Sequence, residues 1–166
     1  MSLAVADTLE AYRPKSPITL KWPNDVLLGG AKVAGLLLER EGDTLLIGIG
    51  INLLSHPDDT PYPATHLVAE MQEVDLAGPE PLFTGAEAVL ALLAARTSQR
   101  IAQLRSTGFV LIRRDWEARA HGLGDMISVN GETGTFDGIG PDGALCLVGL
   151  DGTTSHVHAG DVSFGG

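Results

Sequence analysis

The sequence predicts an α/β (α+β) chain in two parts: helices and strands over roughly its first 120 residues, then a small antiparallel β-barrel. Three observations carry this. Apolar residues recur in helical steps near the amino terminus and again beyond residue 84, and strand-like runs punctuated by glycine pairs lie between them. After Gly122 the chain turns into short apolar strands cut by Asn-Gly and Asp-Gly dipeptides, which favour tight hairpins. Charged residues make up 19% and hydrophobic ones 44%, the balance of a folded protein rather than a disordered one.

Taken in order, residues 2–12 are predicted helical, because Leu3, Ala6, Leu9 and Tyr12 recur in steps of three. Arg13-Pro14 and Ser16-Pro17 end that helix, since proline disfavours helical geometry in the residue before it. ITLKW is a first strand. VLL and KVAGLLLE flank Gly29-Gly30, whose glycines accept positive φ cheaply. TLLIGIGIN, 44–52, follows the Gly42-Asp43 turn and is apolar between its ends, the pattern of a strand covered on both faces. Residues 53–63, rich in Pro, Asp and Ser, read as a loop. A helix is predicted from Thr84, as N-cap, to Leu104, with an apolar face of Ala86, Leu90, Ala94, Ile101 and Leu104. A second, over about 108–119, carries Val110, Ile112 and Trp116. In the barrel segment, turns are predicted at Asn130-Gly131, Asp137-Gly138, Asp142-Gly143 and Asp151-Gly152. A domain boundary is expected near 120–123, giving parts 1–121 and 122–166.

The formal net charge is −10, from 21 acidic and 11 basic side chains, which argues against nucleic acid as a partner because phosphate binding calls for a basic surface. Cys146 is the single cysteine, so an intramolecular disulfide and a multi-cysteine zinc site are excluded; within ALCLVGL it reads as a small buried hydrophobe. No run reaches the length of a membrane span, and MSLAVADTLEAY lacks the pattern of a secretory signal. The expectation is a soluble cytoplasmic protein with no membrane partner.

The chemistry concentrates in LKWPNDVLLGGAKVAGLLLER, residues 20–40. Asn24 and Asp25 follow Pro23, and Lys32 opens the return strand, so ammonium, amide and carboxylate can share one cleft. Gly35, Gly48 and Gly50 alternate with apolar residues and clear one sheet face of side chains, while Asn52 ends the last strand. Such a surface suits a flat apolar ligand with a polar end. The residues alone leave a second reading standing: Lys21 or Lys32 as solvated rim charges, Pro-Asn-Asp as turn chemistry, and glycines that make room for a packed helix.

KWPNDVLL, KVAGLLLE and IGIGIN, in this order and spacing, resemble the catalytic domain of biotin–protein ligases (biotin–[acetyl-CoA-carboxylase] ligases). The segment from Gly124 to Phe164 resembles that family's carboxy-terminal SH3-like domain, including the ending AGDVSF. The resemblance spans essentially the whole chain. It implies a mixed β-sheet with flanking helices of the biotin/lipoate ligase type, followed by an SH3-like barrel. It also implies a reaction: biotin and ATP, with Mg2+, give biotinyl-5′-AMP, and biotin then passes to a lysine of a biotin carboxyl carrier protein. By position, Lys32 resembles the lysine that contacts the biotin carboxylate and the phosphate region. Gly35 and Leu37 resemble backbone contacts to biotin, Gly48 and Gly50 its floor, and Asn24 and Asn52 adenine-reading amides. Asp25 resembles the acid that orients or deprotonates the carrier lysine, with Lys21 and Trp22 as support.

Enzymes of the family carry further strands and a GRGRxGR-type loop before the first helix. This sequence holds no such loop, and the expectation is a carboxy-terminal portion of a ligase, with exposed apolar surface and a tendency to form a homodimer. The resemblance to repressor-type ligases stops short of their DNA-binding helix-turn-helix, so no operator binding is expected. Two rival readings accompany the ligase: a non-catalytic fragment or paralogue that keeps the biotin pocket as a binding module, and a lipoate–protein ligase or transferase. His66 stands where the family resemblance implies a small hydroxyl residue. His156 and His158, two apart on a strand, and the His56-Pro57-Asp58-Asp59 loop read as solvated rather than as metal sites.

Overall fold

The structure, a computed structural model, describes residues 1–72 and 82–164. The chain divides into two compact units, Met1–Leu20 with Asn24–Ala102, and Lys21–Pro23 with Gln103–Gly166.

In the first unit, helix α1 (Ser2–Glu10) is buried along most of its length, with Leu3, Ala4, Val5, Ala6 and Leu9 at most 3% exposed. Its buried Thr8 hydroxyl donates to the Ala4 carbonyl at 2.7 Å, which removes the cost of an unpaired polar group. The helix gives way to a turn through Tyr12, and Arg13, ahead of Pro14, takes φ 51°. Strands β1 (Ile18–Lys21), β2 (Asp25–Leu28), β3 (Ala31–Glu41) and β4 (Thr44–Ile51) form a sheet in that order. Leu28 pairs with Ala31 around Gly29-Gly30, whose φ values of 58° and 84° demand glycine. β3 and β4 run antiparallel in unbroken register from Glu41↔Thr44 to Ala34↔Ile51. An isolated parallel bridge joins Lys32 to Ala64.

Two expectations in this unit are corrected. β4 is not covered on both faces: Leu45, Leu46 and Ile47 are 54%, 47% and 38% exposed. Among the described residues it is the outer strand of the order, flanked by β3, and its apolar run reports strand propensity rather than coverage. Helix α2 spans Ala86–Thr107, so Thr84 lies two residues ahead of it and Gly85 directly precedes it. Its predicted apolar face is turned outward, with Leu90 65% and Leu104 44% exposed, while Val89 is buried and Leu93, Arg96 and Arg100 are half-buried. The face is set by a polar clamp: Arg100 donates to both carboxylate oxygens of Asp7 at 2.7 and 3.0 Å, tying α2 to α1.

In the second unit, helix α3 (Phe109–Glu117) buries Trp116, which meets Phe136 edge-on at 6.4 Å, and leaves Val110 71% exposed. Strands β5 (Met126–Val129), β6 (Glu132–Ile139), β7 (Leu145–Gly149), β8 (Thr154–Val157) and β9 (Val162–Phe164) form an antiparallel sheet ordered β8-β7-β6-β5-β9. Ile127, Phe136, Leu145 and Leu147 fill its core. Asn130-Gly131 is the hairpin turn the sequence predicts. Asp137-Gly138 is not a turn but a bulge inside β6, where the register slips between Phe136↔Leu147 and Gly138↔Cys146. The Glu117 carboxylate accepts the Ile139 N–H there at 3.1 Å. Cys146 is half-buried rather than buried.

Candidate active site

The β2–β3 hairpin sets Asp25 directly opposite Gly35. Lys32, at the start of β3, extends its side chain over that glycine: a β-carbon on Gly35 would stand 3.1 Å from Lys32 Cε, 3.2 Å from its Nζ and 3.5 Å from Asp25 Oδ1. The missing side chain is therefore the space in which the lysine lies. Its ammonium meets Asp25 Oδ1 at 2.6 Å, with the two side chains 40% and 21% exposed. The pair is half in water, so it orients the groups more than it stabilises the fold.

The backbone of Lys32 is held on both sides. Its N–H donates to the Pro63 carbonyl at 2.7 Å, and its carbonyl accepts the Thr65 N–H at 2.9 Å. Asn52, at the end of β4, completes the tie: its Nδ2 donates to the Thr65 carbonyl at 3.0 Å and reaches the Lys32 carbonyl at 3.5 Å. The Asn52 carbonyl in turn accepts the Leu67 N–H at 2.9 Å. Strand β3, strand β4 and the segment 63–67 are thus knitted together at the lysine.

A cavity of about 560 Å3 opens against this knot, within the range of small-molecule sites. β3 contributes Lys32, Ala34 and Gly35, and β4 contributes Gly50, Ile51 and Asn52. The opposite wall comes from the loop, through Pro57, Thr60, Pro61, Tyr62 and Ala64. The arrangement offers one cation, one amide and a mostly apolar floor and wall, to which Thr60 and Tyr62 add hydroxyl-bearing side chains.

Of the residues predicted from sequence, Lys32, Gly35, Gly50 and Asn52 line the cavity together, and Asp25 joins through its ion pair. Leu37 and Gly48 pair with each other farther along the ribbon, outside the lining, and the Leu37 side chain is 60% exposed. Asn24 is half-buried and also outside the lining; its carbonyl accepts the Leu36 N–H at 2.9 Å. Lys21 and Trp22 are buried in the second unit, where Lys21 Nζ meets Asp161 Oδ1 at 3.2 Å and Trp22 Nε1 donates to the Gly143 carbonyl at 3.2 Å. Sequence reasoning missed the loop wall. Its signal was the three prolines at 57, 61 and 63 around Tyr62, which stiffen a segment that periodicity cannot describe.

His156 and His158 do not converge. His156 Nδ1 lies 3.6 Å from Cys146 Sγ, and His158 Nδ1 lies 3.9 Å from Asp142 Oδ2. Burial, aided by neighbouring carboxylates, pushes the Cys146 thiol up, away from a reactive thiolate. Among the described residues no group of three His, Cys, Asp or Glu side chains could hold a metal ion.

Comparison with known proteins adds to this geometry. Residues 1–53 match the biotin/lipoate A/B protein ligase family, and residues 123–165 match the biotin protein ligase C terminal domain. The chain is 40% identical to the biotin–[acetyl-CoA-carboxylase] ligase of Paracoccus denitrificans, over 99% of this chain and 71% of that protein. It is 32% identical to the ligase of the same name from Mycobacterium tuberculosis, over 96% of this chain and 59% of that protein. Its fold is similar to the biotin protein ligase from Aquifex aeolicus in complex with biotin and ATP, with 28% identity and a TM-score of 0.76, covering 98% of this chain and 67% of that one. Likeness at both ends of the sequence, along its length and in its fold gives one answer: the chain belongs to the biotin protein ligase family.

Proposed function

We propose that the cavity receives biotin and its adenylate, and that the chain serves ATP-dependent formation of biotinyl-5′-AMP and transfer of biotin to a lysine of a biotin carboxyl carrier protein. The observation that carries this reading is the Lys32 ammonium, held by Asp25 at 2.6 Å above Gly35 in the cavity that Asn52 also lines. The names of its relatives, and biotin with ATP in the Aquifex aeolicus ligase, point the same way.

The chemistry follows from that ion pair. A biotin carboxylate entering the cavity competes with Asp25 for the ammonium. Lys32 offsets the repulsion between carboxylate and α-phosphate while a carboxylate oxygen attacks phosphorus and pyrophosphate leaves. Asp25, released from Lys32, is then a free carboxylate beside the activated acyl group. A carrier lysine is mostly protonated near neutral pH, and Asp25 orients it and draws off its proton as the nitrogen attacks the acyl carbon and AMP departs. Asn52 spends its NH2 group on the Thr65 carbonyl, and its remaining acceptor is suited to an adenine amino group. Asn24 belongs to the same nucleotide end. Leu37 and Gly48 extend the biotin floor along the ribbon. Mg2+ arrives with ATP and takes most of its ligands from phosphate and water.

Residues 1–121 form the catalytic portion in this reading and 122–166 the SH3-like domain. The setting is cytoplasmic, where ATP and the carrier meet, and two copies associate as a homodimer. No helix among the described residues is long and apolar enough to cross a membrane.

Thermal unfolding with biotinyl-5′-AMP tests the proposal. Ligand at a hundred times its dissociation constant adds about 2.7 kcal/mol, a shift of several degrees. The shift is expected in the wild type, absent in Lys32→Ala, and smaller with lipoyl-AMP. No shift in the wild type refutes the reading of the cavity.

A further inference from the structure

We propose that Asp25 acts on biotin before any carrier lysine arrives: it is a built-in counter-ion that competes with the biotin carboxylate for Lys32, and so sets how strongly the cavity prefers the acid over its neutral amide. This rests on the reading of the cavity given above. It gives Asp25 a part in the first half-reaction, beside its part in the transfer.

Among the described residues Lys32 is the one charged residue in the cavity lining, so an anion entering there has this ammonium as its partner. The ammonium has a partner of its own in Asp25 Oδ1, at 2.6 Å. Neither group can drift far from the other. Asp25 stands directly opposite Gly35 across the β2–β3 pair, and the adjoining Asn24 carbonyl accepts the Leu36 N–H at 2.9 Å. Strand pairing thus fixes the root of the carboxylate. Hydrogen bonds with Pro63 and Thr65 hold the backbone of Lys32 in turn. A β-carbon at Gly35 would lie 3.2 Å from Lys32 Nζ and 3.5 Å from Asp25 Oδ1, so the pair occupies the space that this glycine leaves open. The Asp25 side chain is 21% exposed, which leaves it little water to exchange for the ammonium.

A carboxylate ligand therefore meets a divided cation. To reach the ammonium it must share it with Asp25 or displace Asp25, and the two carboxylates then stand close together, where like charges repel. The repulsion is stronger in a cavity from which the ligand has driven water. An amide carries no charge and leaves the ion pair whole. Asp25 thus lowers affinity for the acid and leaves affinity for the amide as it is. The acid is the substrate of adenylation and the amide is the acyl end of the transfer product, so the counter-ion keeps substrate from being held much more tightly than product. The carboxylate also gives up its negative charge as its oxygen bonds to the α-phosphorus and pyrophosphate leaves. Repulsion from Asp25 is present in bound biotin and relieved as that bond forms, a difference that equal binding of both states would forfeit.

The test compares biotin with biotinamide by calorimetry on the whole chain, at one pH near neutrality, for wild type, Asp25→Asn and Lys32→Gln. Asparagine keeps the size of aspartate and an oxygen that accepts from Lys32, so the charge alone is lost. Asp25→Asn is expected to bind biotin about three- to tenfold more tightly, with biotinamide unchanged within about twofold. Unchanged amide binding also shows that the cavity is intact in the variant. Lys32→Gln is expected to lose about tenfold or more in biotin affinity relative to biotinamide, because the charge-assisted bond to the acid is gone.

Biotin affinity that is unchanged or weaker in Asp25→Asn overturns the proposal, since Asp25 then supports Lys32 rather than competing for it. Equal tightening of both ligands overturns it by making the effect one of shape, and loss of both does so by making Asp25 part of the framework of the site. The reading of the cavity fails on other grounds. It falls if the wild type binds neither ligand, or if Lys32→Gln keeps the wild-type ratio of the two affinities, and the proposal falls with it.

Discussion

A methyl group added at Gly35 has to displace Lys32, because its position lies 3.1 and 3.2 Å from the lysine's last two atoms. Those atoms end a flexible chain, so folding tolerates the change while the ammonium is pushed a few tenths of an ångström from its place above the strand. Gly35→Ala is expected to cost less than about 1 kcal/mol in urea unfolding. It should nonetheless weaken biotinyl-5′-AMP about tenfold, or roughly 1.4 kcal/mol, in calorimetry. At Gly48 the nearest side-chain atom to such a methyl is Leu37 Cβ, an ordinary contact at 3.6 Å outside the cavity lining. Gly48→Ala should leave stability unchanged and weaken biotinyl-5′-AMP, because Gly48 belongs to the proposed biotin floor; unchanged affinity would end that floor short of Gly48. A different residue controls pH sensitivity in the second unit. His121 packs edge-on against Phe164 at 4.7 Å, and burial holds its imidazole below the ordinary value, with Asp125 opposing and Lys21 reinforcing the shift. Between the lowered folded pKa and the unfolded value near 6.5, the unfolded chain binds more protons. Stability is therefore full above about 6.5 and declines as pH falls toward the lowered folded value. Urea midpoints at about pH 7.5 and pH 5.5 should differ more for the wild type than for His121→Gln; identical differences would remove His121 from the pH response.

Turns and helices show how far local sequence reaches at the scale of an element. Gly29-Gly30 and Asn130-Gly131 were legible because a two-residue hairpin needs positive φ at both positions, and those residues supply it. Asn130 and Gly131 stand at φ 52° and 83°, and the Asn130 amide also donates to the Ala159 carbonyl at 2.7 Å. Asn130→Ala therefore loses a hydrogen bond and places a β-carbon residue in left-handed backbone without local support. Its expected cost is about 1–2 kcal/mol in urea unfolding, with Gly131→Ala similar. A cost near zero for both would mean that the turn relaxes to another type. Asp137-Gly138 has the same chemistry and became a bulge, because the partner strand continues past it and Glu117 occupies the Ile139 N–H. No dipeptide encodes a carboxylate arriving from another element. Helix α2 repeats the lesson: its sequence offers several leucines, and the Arg100–Asp7 clamp decides which side faces inward.

Across the whole molecule, legibility followed the regularity of the backbone. Lys32, Gly35, Gly50 and Asn52 were readable because strands alternate, so cleared positions and polar ends fall into place once the hairpin is recognised. The wall from Pro57 to Ala64 was not, since a loop has no period and its position depends on bonds made by Lys32 and Asn52 in other segments. The exposed ribbon was half readable: exposed apolar surface is expected from the sequence, but the run over 44–52 reads as a strand covered on both faces. Leu37, Leu38, Leu45, Leu46 and Ile47 are 38% to 60% exposed along β3 and the outer strand β4. An apolar strand with an unpaired edge is a template for another strand, and the side chains beside it gain by leaving water together. Sedimentation equilibrium should therefore show the mass of this chain rising with concentration. Leu46→Lys places a charge on the outer strand and should raise the dissociation constant about tenfold, or roughly 1.4 kcal/mol. Met126→Lys, at a position 45% exposed in the second unit, supplies the control, because it adds the same charge away from the ribbon. Association lowered only by the first substitution places self-assembly on β4; since either lysine brings the net charge of −10 nearer to zero and so lessens repulsion between copies, equal weakening by both would show that self-assembly does not depend on β4.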